Sequence, residues 1–226
     1  MLHKINNFYL TLLPTLIMGI ATMMNANNRL QFIVGIGILY FTMFIIALRV
    51  NHLHSHLFSF QIIPLSLILI SISSINSFLY YERIFPQLNL FFLASSIVIR
   101  IFFFSYACCL MIFVLISAKK VKSETILAAI CGYLLIGIIW SFLYLIFWEI
   151  DPHAFHLTIA REYQYKPWNL SIYFSFSTLT TLGYGDIIPI DRWVMFLANM
   201  EAVLGSFYLA IVVARLVSIY DLSKEE

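Results

Sequence analysis

Six apolar stretches, each close to the length of a membrane-spanning helix, constrain the fold of this chain more than any other feature. A helix needs about 20 apolar residues to cross the hydrocarbon core of a bilayer. Hydrophobic residues make up 62% of the chain and charged residues only 11%, whereas a soluble domain is roughly 25% charged. The sequence therefore predicts an all-α integral protein of the lipid bilayer with six transmembrane helices. The stretches cover residues 8–24, 30–50, 58–80, 88–117, 125–148 and 192–218.

The distribution of basic residues predicts how these helices are oriented. If all six stretches cross, one side of the membrane carries Lys4, Arg49, Lys119, Lys120, Lys122, Arg215 and Lys224. The other side carries Arg29, Arg83, Arg161, Lys166 and Arg192. The three lysines at 119, 120 and 122 lie close to membrane ends, where basic residues favour the cytoplasmic side. We expect a multi-pass protein of the plasma membrane with both termini cytoplasmic. The first stretch, which is short and contains Pro14, could alternatively be a signal peptide.

The loop between Lys119 and Glu124 divides the chain into two predicted regions. Residues 1–118 would form a peripheral domain of four helices, residues 125–220 a second membrane domain, and residues 221–226 a short cytoplasmic tail. Inside the second domain, a polar segment precedes an apolar run that is too short to cross a membrane. Pro167 suits the first position of a helix, so we expect a helix from Pro167 to Thr178, roughly 18 Å long.

Directly after this short helix come the nine residues Thr178-Leu-Thr-Thr-Leu-Gly-Tyr-Gly-Asp186. Gly183 and Gly185 flank one aromatic residue, and glycine adopts a positive φ without the steric penalty of a Cβ. Alternating ordinary and left-handed dihedrals can aim consecutive backbone carbonyls toward one axis. Rings of such carbonyls, contributed by several chains, can replace the hydration shell of a cation.

This segment resembles the selectivity filter of the tetrameric potassium channels. The resemblance implies that K⁺ is coordinated by the carbonyls of Thr181, Leu182, Gly183 and Tyr184, with the Thr181 hydroxyl as the innermost ligand and Gly185 completing the filter. One chain supplies a quarter of each ring, so a homotetramer is implied. K⁺ is then the permeant ion, and no cofactor is expected. The predicted protein is a passive channel for K⁺ and not an enzyme.

Further positions have counterparts in the same family. The resemblance assigns support of the filter to Tyr173, Phe174, Ser177, Thr180 and Asp186. Tyr173 either donates a hydrogen bond to Asp186 or, like Phe174, only packs against neighbouring helices. Two residues depart from the commoner pattern, namely Leu182 in place of Val or Ile and Ser177 in place of a glutamate that some members have.

The last stretch offers candidate gating residues and a buried acid. Gly205 falls where the family has a hinge glycine, although it could equally serve only close helix packing. Helical spacing places Ser206, Leu209 and Val213 toward a water-filled cavity. Glu201 should look toward the short helix, where its carboxyl would either bond to Thr or Ser hydroxyls and support the filter, or act as a charge in the cavity.

Other motifs yield weaker hypotheses. Arg100 is alone in the fourth stretch, so it is either structural or the basis of a weak voltage dependence. The alternating His52, His54 and His56 could sense pH or bind a metal, or simply form a solvated loop. Gly183 to Asp186 also matches the G-x-G-D pattern of intramembrane aspartyl proteases, but no other predicted span contains a second aspartate. The net charge of +2 and the scattered basic residues exclude nucleic acid as a partner.

Overall fold

The computed structural model describes residues 2–26, 31–42, 72, 75, 86–118, 120–158 and 166–222, and these residues are mostly helical. The helices are α1 (Leu2–Met24), α2 (Gln31–Thr42), α3 (Asn89–Ser117), α4 (Ser123–Ile150), α5 (Pro167–Leu179) and α6 (Arg192–Leu222). Two short strands, β1 (Phe155–Leu157) and β2 (Ile187–Pro189), and two 3₁₀ turns (Pro86–Leu88 and Pro152–Ala154) connect them.

Three of the described helices are long and apolar enough to cross a membrane. They cover Leu90–Ser117, Thr125–Ile150 and Arg192–Ile219 in α3, α4 and α6, and they confirm the fourth, fifth and sixth predicted stretches as helices. The first two stretches contain shorter apolar helices, Leu13–Met24 and Gln31–Thr42. Most of the stretch 58–80 and the three histidines at 52, 54 and 56 lie outside the described residues. The six-helix count therefore stays a prediction.

The centre of the molecule is α4, which packs against α3 along its length. Phe104 of α3 stacks on Phe142 of α4 with ring centroids 5.7 Å apart. One turn earlier, the buried guanidinium of Arg100 lies over the same ring, 5.6 Å from its centroid. This geometry places Arg100 inside the α3–α4 contact, as the structural interpretation of this residue expects.

The end of α1 is fixed to the start of α5 by side chains that bond to its last carbonyls. The final carbonyls of a helix have no partner within the helix, so they accept bonds from elsewhere. The indole N–H of Trp168 donates to the Ala26 carbonyl at 3.3 Å, and the Asn169 amide donates to the Met23 carbonyl at 3.3 Å and also to the Met24 carbonyl. The first stretch therefore packs on the second domain of its own chain.

A two-stranded antiparallel sheet closes one end of the bundle, which we call the sheet end. Phe155 pairs with Pro189, His156 with Ile188 and Leu157 with Ile187. The sheet joins the chain just after α4 to the chain just before α6, so α5 and the segment that follows it enter and leave at the sheet end. The fold is mostly helical, as expected, and the sequence did not predict the sheet, because strands of three residues are too short to leave an alternating pattern.

Candidate functional site

The short helix α5 forms where the sequence predicts it. It runs from Pro167 to Leu179, one residue beyond the predicted end, with Pro167 in its first turn. Its 13 residues give a length of about 20 Å, which is too short to cross a bilayer. The Thr180 hydroxyl donates to the Phe176 carbonyl at 2.6 Å and thereby satisfies one of the last carbonyls of the helix.

The segment after α5 contains the described residues with positive φ. These are Gly183 at +51°, Gly185 at +77° and, unexpectedly, Thr181 at +58°. The amides of Leu182 and Gly183 donate to the Ser177 carbonyl at 2.9 and 3.1 Å, which folds the segment back over the end of α5. The two glycines have the dihedrals that the sequence predicts. Thr181 could not have been identified from sequence, because a β-branched residue rarely adopts a positive φ.

Residues 180–185 are exposed in the single chain. The side chains of Leu182 and Tyr184 are 60% and 66% exposed. Non-helical backbone at membrane depth occurs only where protein or a water-filled cavity surrounds it, because lipid cannot satisfy its polar groups. If the segment lies at membrane depth, its exposed backbone therefore needs a protein or aqueous environment that its own chain does not provide.

Asp186 follows the segment, and two hydrogen bonds hold its carboxyl. The Tyr173 hydroxyl donates to Oδ2 at 2.6 Å, and the Ile187 amide donates to Oδ1 at 3.0 Å. The structure thus contains the Tyr173–Asp186 hydrogen bond rather than packing alone. The Tyr173 ring also stacks on Tyr184, with centroids 6.2 Å apart and an angle of 9° between the ring planes. These contacts join α5 to the outer part of the segment.

Phe174 lies in a buried aromatic cluster behind the segment. Its ring meets Tyr144 edge to face at 4.8 Å and Phe155 at 5.3 Å. Trp148 stacks on the other side of Phe155 at 4.2 Å. This cluster packs α4, α5 and β1 together behind the segment, and the support that Phe174 gives to the segment stays a prediction.

Thr158 is a site residue that the sequence analysis missed. Its amide donates to the Asp186 carbonyl at 2.9 Å, and its hydroxyl lies 3.2 Å from the Asp186 carbonyl and 3.5 Å from that of Gly185. Thr158 follows β1, so the sheet brings it beside the end of the segment. No pattern in the polar stretch before α5 distinguishes this threonine from its neighbours, because its position depends on strand pairing.

Glu201 of α6 is fully buried, and its carboxyl bonds to two hydroxyl groups. Tyr144 of α4 donates to Oε2 at 2.7 Å, and the Ser175 hydroxyl of α5 lies 2.6 Å from Oε1. The serine contact agrees with the expected bond to a hydroxyl behind the segment. The contact with Tyr144 was not predicted, because it requires knowing how α4 packs against α6.

Gly205 lies where α6 crosses the end of α5. A Cβ at this position would be 2.3 Å from the Leu179 carbonyl oxygen, so only glycine allows the two helices to approach this closely. Tyr133 of α4 donates to the same carbonyl at 3.0 Å. The close-packing interpretation of Gly205 is therefore supported, while its role as a hinge stays a prediction.

The remaining predicted residues are either exposed on α6 or buried in α5. Ser206, Leu209 and Val213 are exposed on α6, as residues facing a cavity between chains would be, although their role stays untested. Ser177 is buried, and its hydroxyl donates to the Phe174 carbonyl of its own helix at 2.9 Å. The Ser177 side chain thus bonds within α5, and its carbonyl oxygen is the group that holds the segment.

Comparison with known protein families finds a similarity in the region of α4, α5 and α6. Residues 124–221 match a family described as ion channels. Searches of curated proteins and of solved structures found no match. This match, together with the apolar helices, supports an ion channel function in a membrane and points away from an enzyme. Nothing in the comparisons favours the protease alternative.

Proposed function

We propose that this protein is a homotetrameric, potassium-selective channel of the plasma membrane that conducts K⁺ passively down its electrochemical gradient. The observation that carries this proposal is the backbone of the Thr-Leu-Gly-Tyr-Gly segment, which has positive φ at Thr181, Gly183 and Gly185. The match of α4 to α6 with the ion channel family supports it.

Selectivity would come from backbone oxygens rather than from charged side chains. The carbonyls of Thr181, Leu182, Gly183 and Tyr184, with the Thr181 hydroxyl, would replace the hydration shell of K⁺ as it passes. The C-terminal end of α5 points its carbonyls toward the start of this filter, and the negative end of a helix dipole favours a cation there. Gly185 and Asp186 would form the outer end.

Four copies are proposed because one chain leaves the filter open. The exposed residues 180–185 need a polar or protein environment at membrane depth. A ring of identical chains would supply both, since each filter would then face a water-filled axis. The exposed apolar side chains of α6, such as Phe207 and Ile211, would be covered by neighbouring copies or by lipid.

The proposed channel has no voltage sensor in the described part of the chain. Each elementary charge that crosses the field contributes only about 2.3 kcal/mol per 100 mV, so a sensor needs several mobile charges. Arg100 is buried against Phe142 within the α3–α4 contact. We therefore assign Arg100 a structural role in the contact between α3 and α4.

An ion flux assay tests the proposal. Purified protein is reconstituted into liposomes loaded with K⁺ or with Na⁺, and the release of each ion down its gradient is compared with that from protein-free liposomes. Release of K⁺ without comparable release of Na⁺ is expected. Equal release of both ions would contradict the selectivity that we propose.

A further inference from the structure

The hydrogen bonds of Glu201 identify its protonation state. Glu201, Tyr144 and Ser175 are each 0% exposed, and they belong to α6, α4 and α5. Glu201 Oε2 accepts a hydrogen bond from the Tyr144 hydroxyl at 2.7 Å, and Glu201 Oε1 lies 2.6 Å from Ser175 Oγ. The same Ser175 Oγ lies 2.7 Å from the carbonyl oxygen of Gly137 in α4.

Counting protons at Ser175 distinguishes the two states of the acid. A carbonyl oxygen only accepts, and a serine hydroxyl has a single proton to donate. If Glu201 were ionised, either the contact with Gly137 or the contact with Glu201 would be a buried pair of oxygens without a proton between them. If Glu201 is protonated, its own proton is donated to Ser175 Oγ, and the proton of Ser175 is donated to Gly137. All three short contacts are then hydrogen bonds.

The surroundings favour the same state. The titratable groups that interact with Glu201 within the described residues are the phenols Tyr144 and Tyr133 of α4, and neither carries a positive charge. From α5, the group that meets the carboxyl is the Ser175 hydroxyl. A buried carboxylate without a cation is costly in a membrane protein, whereas a neutral acid with both oxygens bonded is not.

We propose that Glu201 is held as a neutral carboxylic acid, and that the hydrogen-bond chain Tyr144–Glu201–Ser175–Gly137 joins α6 to α5 and α4 behind the filter. The role of this chain in conduction rests on the proposed channel function, but the protonation state does not. Glu201 is a positioning residue, because it acts on the filter through Ser175 and α5 and has no contact with the ion.

A neutral acid has a close substitute in glutamine. In Glu201→Gln, the amide NH₂ would donate to Ser175 Oγ and the amide carbonyl would accept from Tyr144, so both bonds persist. Glu201→Ala leaves the Tyr144 hydroxyl without its acceptor and leaves Ser175 bonded to Gly137 alone, so α6 is no longer joined to α5 and α4. Glutamine should therefore retain the fold and the function, and alanine should not.

Infrared spectroscopy of the reconstituted full chain at neutral pH tests the protonation state. The difference between wild type and Glu201→Gln should show the loss of a protonated-carboxyl absorption, with the carboxylate absorption unchanged. Asp151→Asn, at an exposed position, is the matched control and should lose carboxylate absorption only. Loss of carboxylate absorption in Glu201→Gln, or failure of this variant to fold, would overturn the proposal.

Potassium flux tests the joining role. We expect the flux of Glu201→Gln to stay within about twofold of wild type and that of Glu201→Ala to fall by about tenfold or more, because alanine breaks the chain and leaves the buried Tyr144 hydroxyl unsatisfied. A Glu201→Gln variant that is folded but has lost flux as completely as Glu201→Ala would overturn this role. If wild type itself does not conduct, the channel proposal fails, whereas the infrared result still decides the state of Glu201.

Discussion

At the scale of single residues, the proposed filter would depend on backbone conformation more than on side chains. Gly183 has room for a Cβ in the single chain, since no atom lies within 4 Å of its ideal position. Its φ of +51° is nevertheless one that residues with a side chain rarely adopt. A side chain at position 183 is therefore disfavoured by the backbone dihedral, whereas a side chain at position 205 would clash with the Leu179 carbonyl.

Replacing Gly183 by alanine should abolish potassium conduction. The added Cβ disfavours the left-handed backbone by about 1 kcal/mol in each chain, and a tetramer would contain four such positions. Flux from K⁺-loaded liposomes measures the effect. Gly37→Ala is the control, because Gly37 also has no atom within 4 Å of an added Cβ but has no positive φ. Normal conduction by Gly183→Ala would mean that this dihedral is not needed.

Replacing Thr158 by valine should weaken the outer end of the filter. In Thr158→Val the backbone N–H still donates a hydrogen bond to the Asp186 carbonyl. The hydroxyl that lies 3.2 Å from that carbonyl is removed, which should cost about 1 kcal/mol of stability. We expect a faster decline of current during maintained conduction, recorded in planar bilayers. Thr158→Ser retains the hydroxyl and should behave as wild type. If the currents of Thr158→Val and Thr158→Ser decline at the same rate, the hydroxyl does not support the proposed filter.

Sequence patterns predicted those residues whose role depends on their own backbone or on their own helix. Gly183, Gly185 and Pro167 were identifiable because positive φ and the first helical turn select these residue types. Thr158 and Tyr144 were not identifiable, because each acts on a residue at least 28 positions away in sequence. Their roles follow from how the strands and helices pack, and no local sequence pattern predicts this packing.

At the scale of elements, the peripheral helices are tied to the ion channel domain at both ends of the bundle. At the sheet end, Trp168 and Asn169 of α5 bond to the last carbonyls of α1. At the opposite end, the guanidinium of Arg215 in α6 donates to the carbonyls of Ile116 and Ala118 at 2.7 and 3.3 Å. These carbonyls end α3, so Arg215 serves as a cap supplied by another helix.

Replacing Arg215 by glutamine should destabilise the contact between α6 and α3. The two carbonyls lose a charged donor, and because the site is partly exposed we expect a loss of about 1 kcal/mol. Thermal unfolding of the purified protein in detergent measures the change. Arg192→Gln is the control, since Arg192 is exposed at the start of α6. Equal melting temperatures of the two variants would show that the cap has no energetic role.

Helix positions were predictable from hydropathy because α3, α4 and α6 are apolar on all sides. Their predicted bounds, 88–117, 125–148 and 192–218, differ from the observed ones by four residues at most. The packing of α1 on α5 was not predictable, since helices that are apolar all round give no indication of which face meets which neighbour. The two strands were missed because they contain three residues each.

At the scale of the whole molecule, one chain forms a bundle that leaves residues 180–185 exposed. Contacts with α5 and the sheet hold one side of this proposed filter. Such a surface agrees with assembly of several copies around one axis. The central claim is that the assembly conducts K⁺ and discriminates against Na⁺.

The reversal potential in a planar bilayer tests this claim most directly. The reconstituted protein is recorded with K⁺ on one side of the bilayer and Na⁺ at the same concentration on the other. We predict a reversal potential far from zero, with the sign that opposes the flow of K⁺ out of the K⁺ side, because only K⁺ would be fully coordinated by the ring of backbone oxygens. A conducting pore whose current reverses near zero would contradict potassium selectivity.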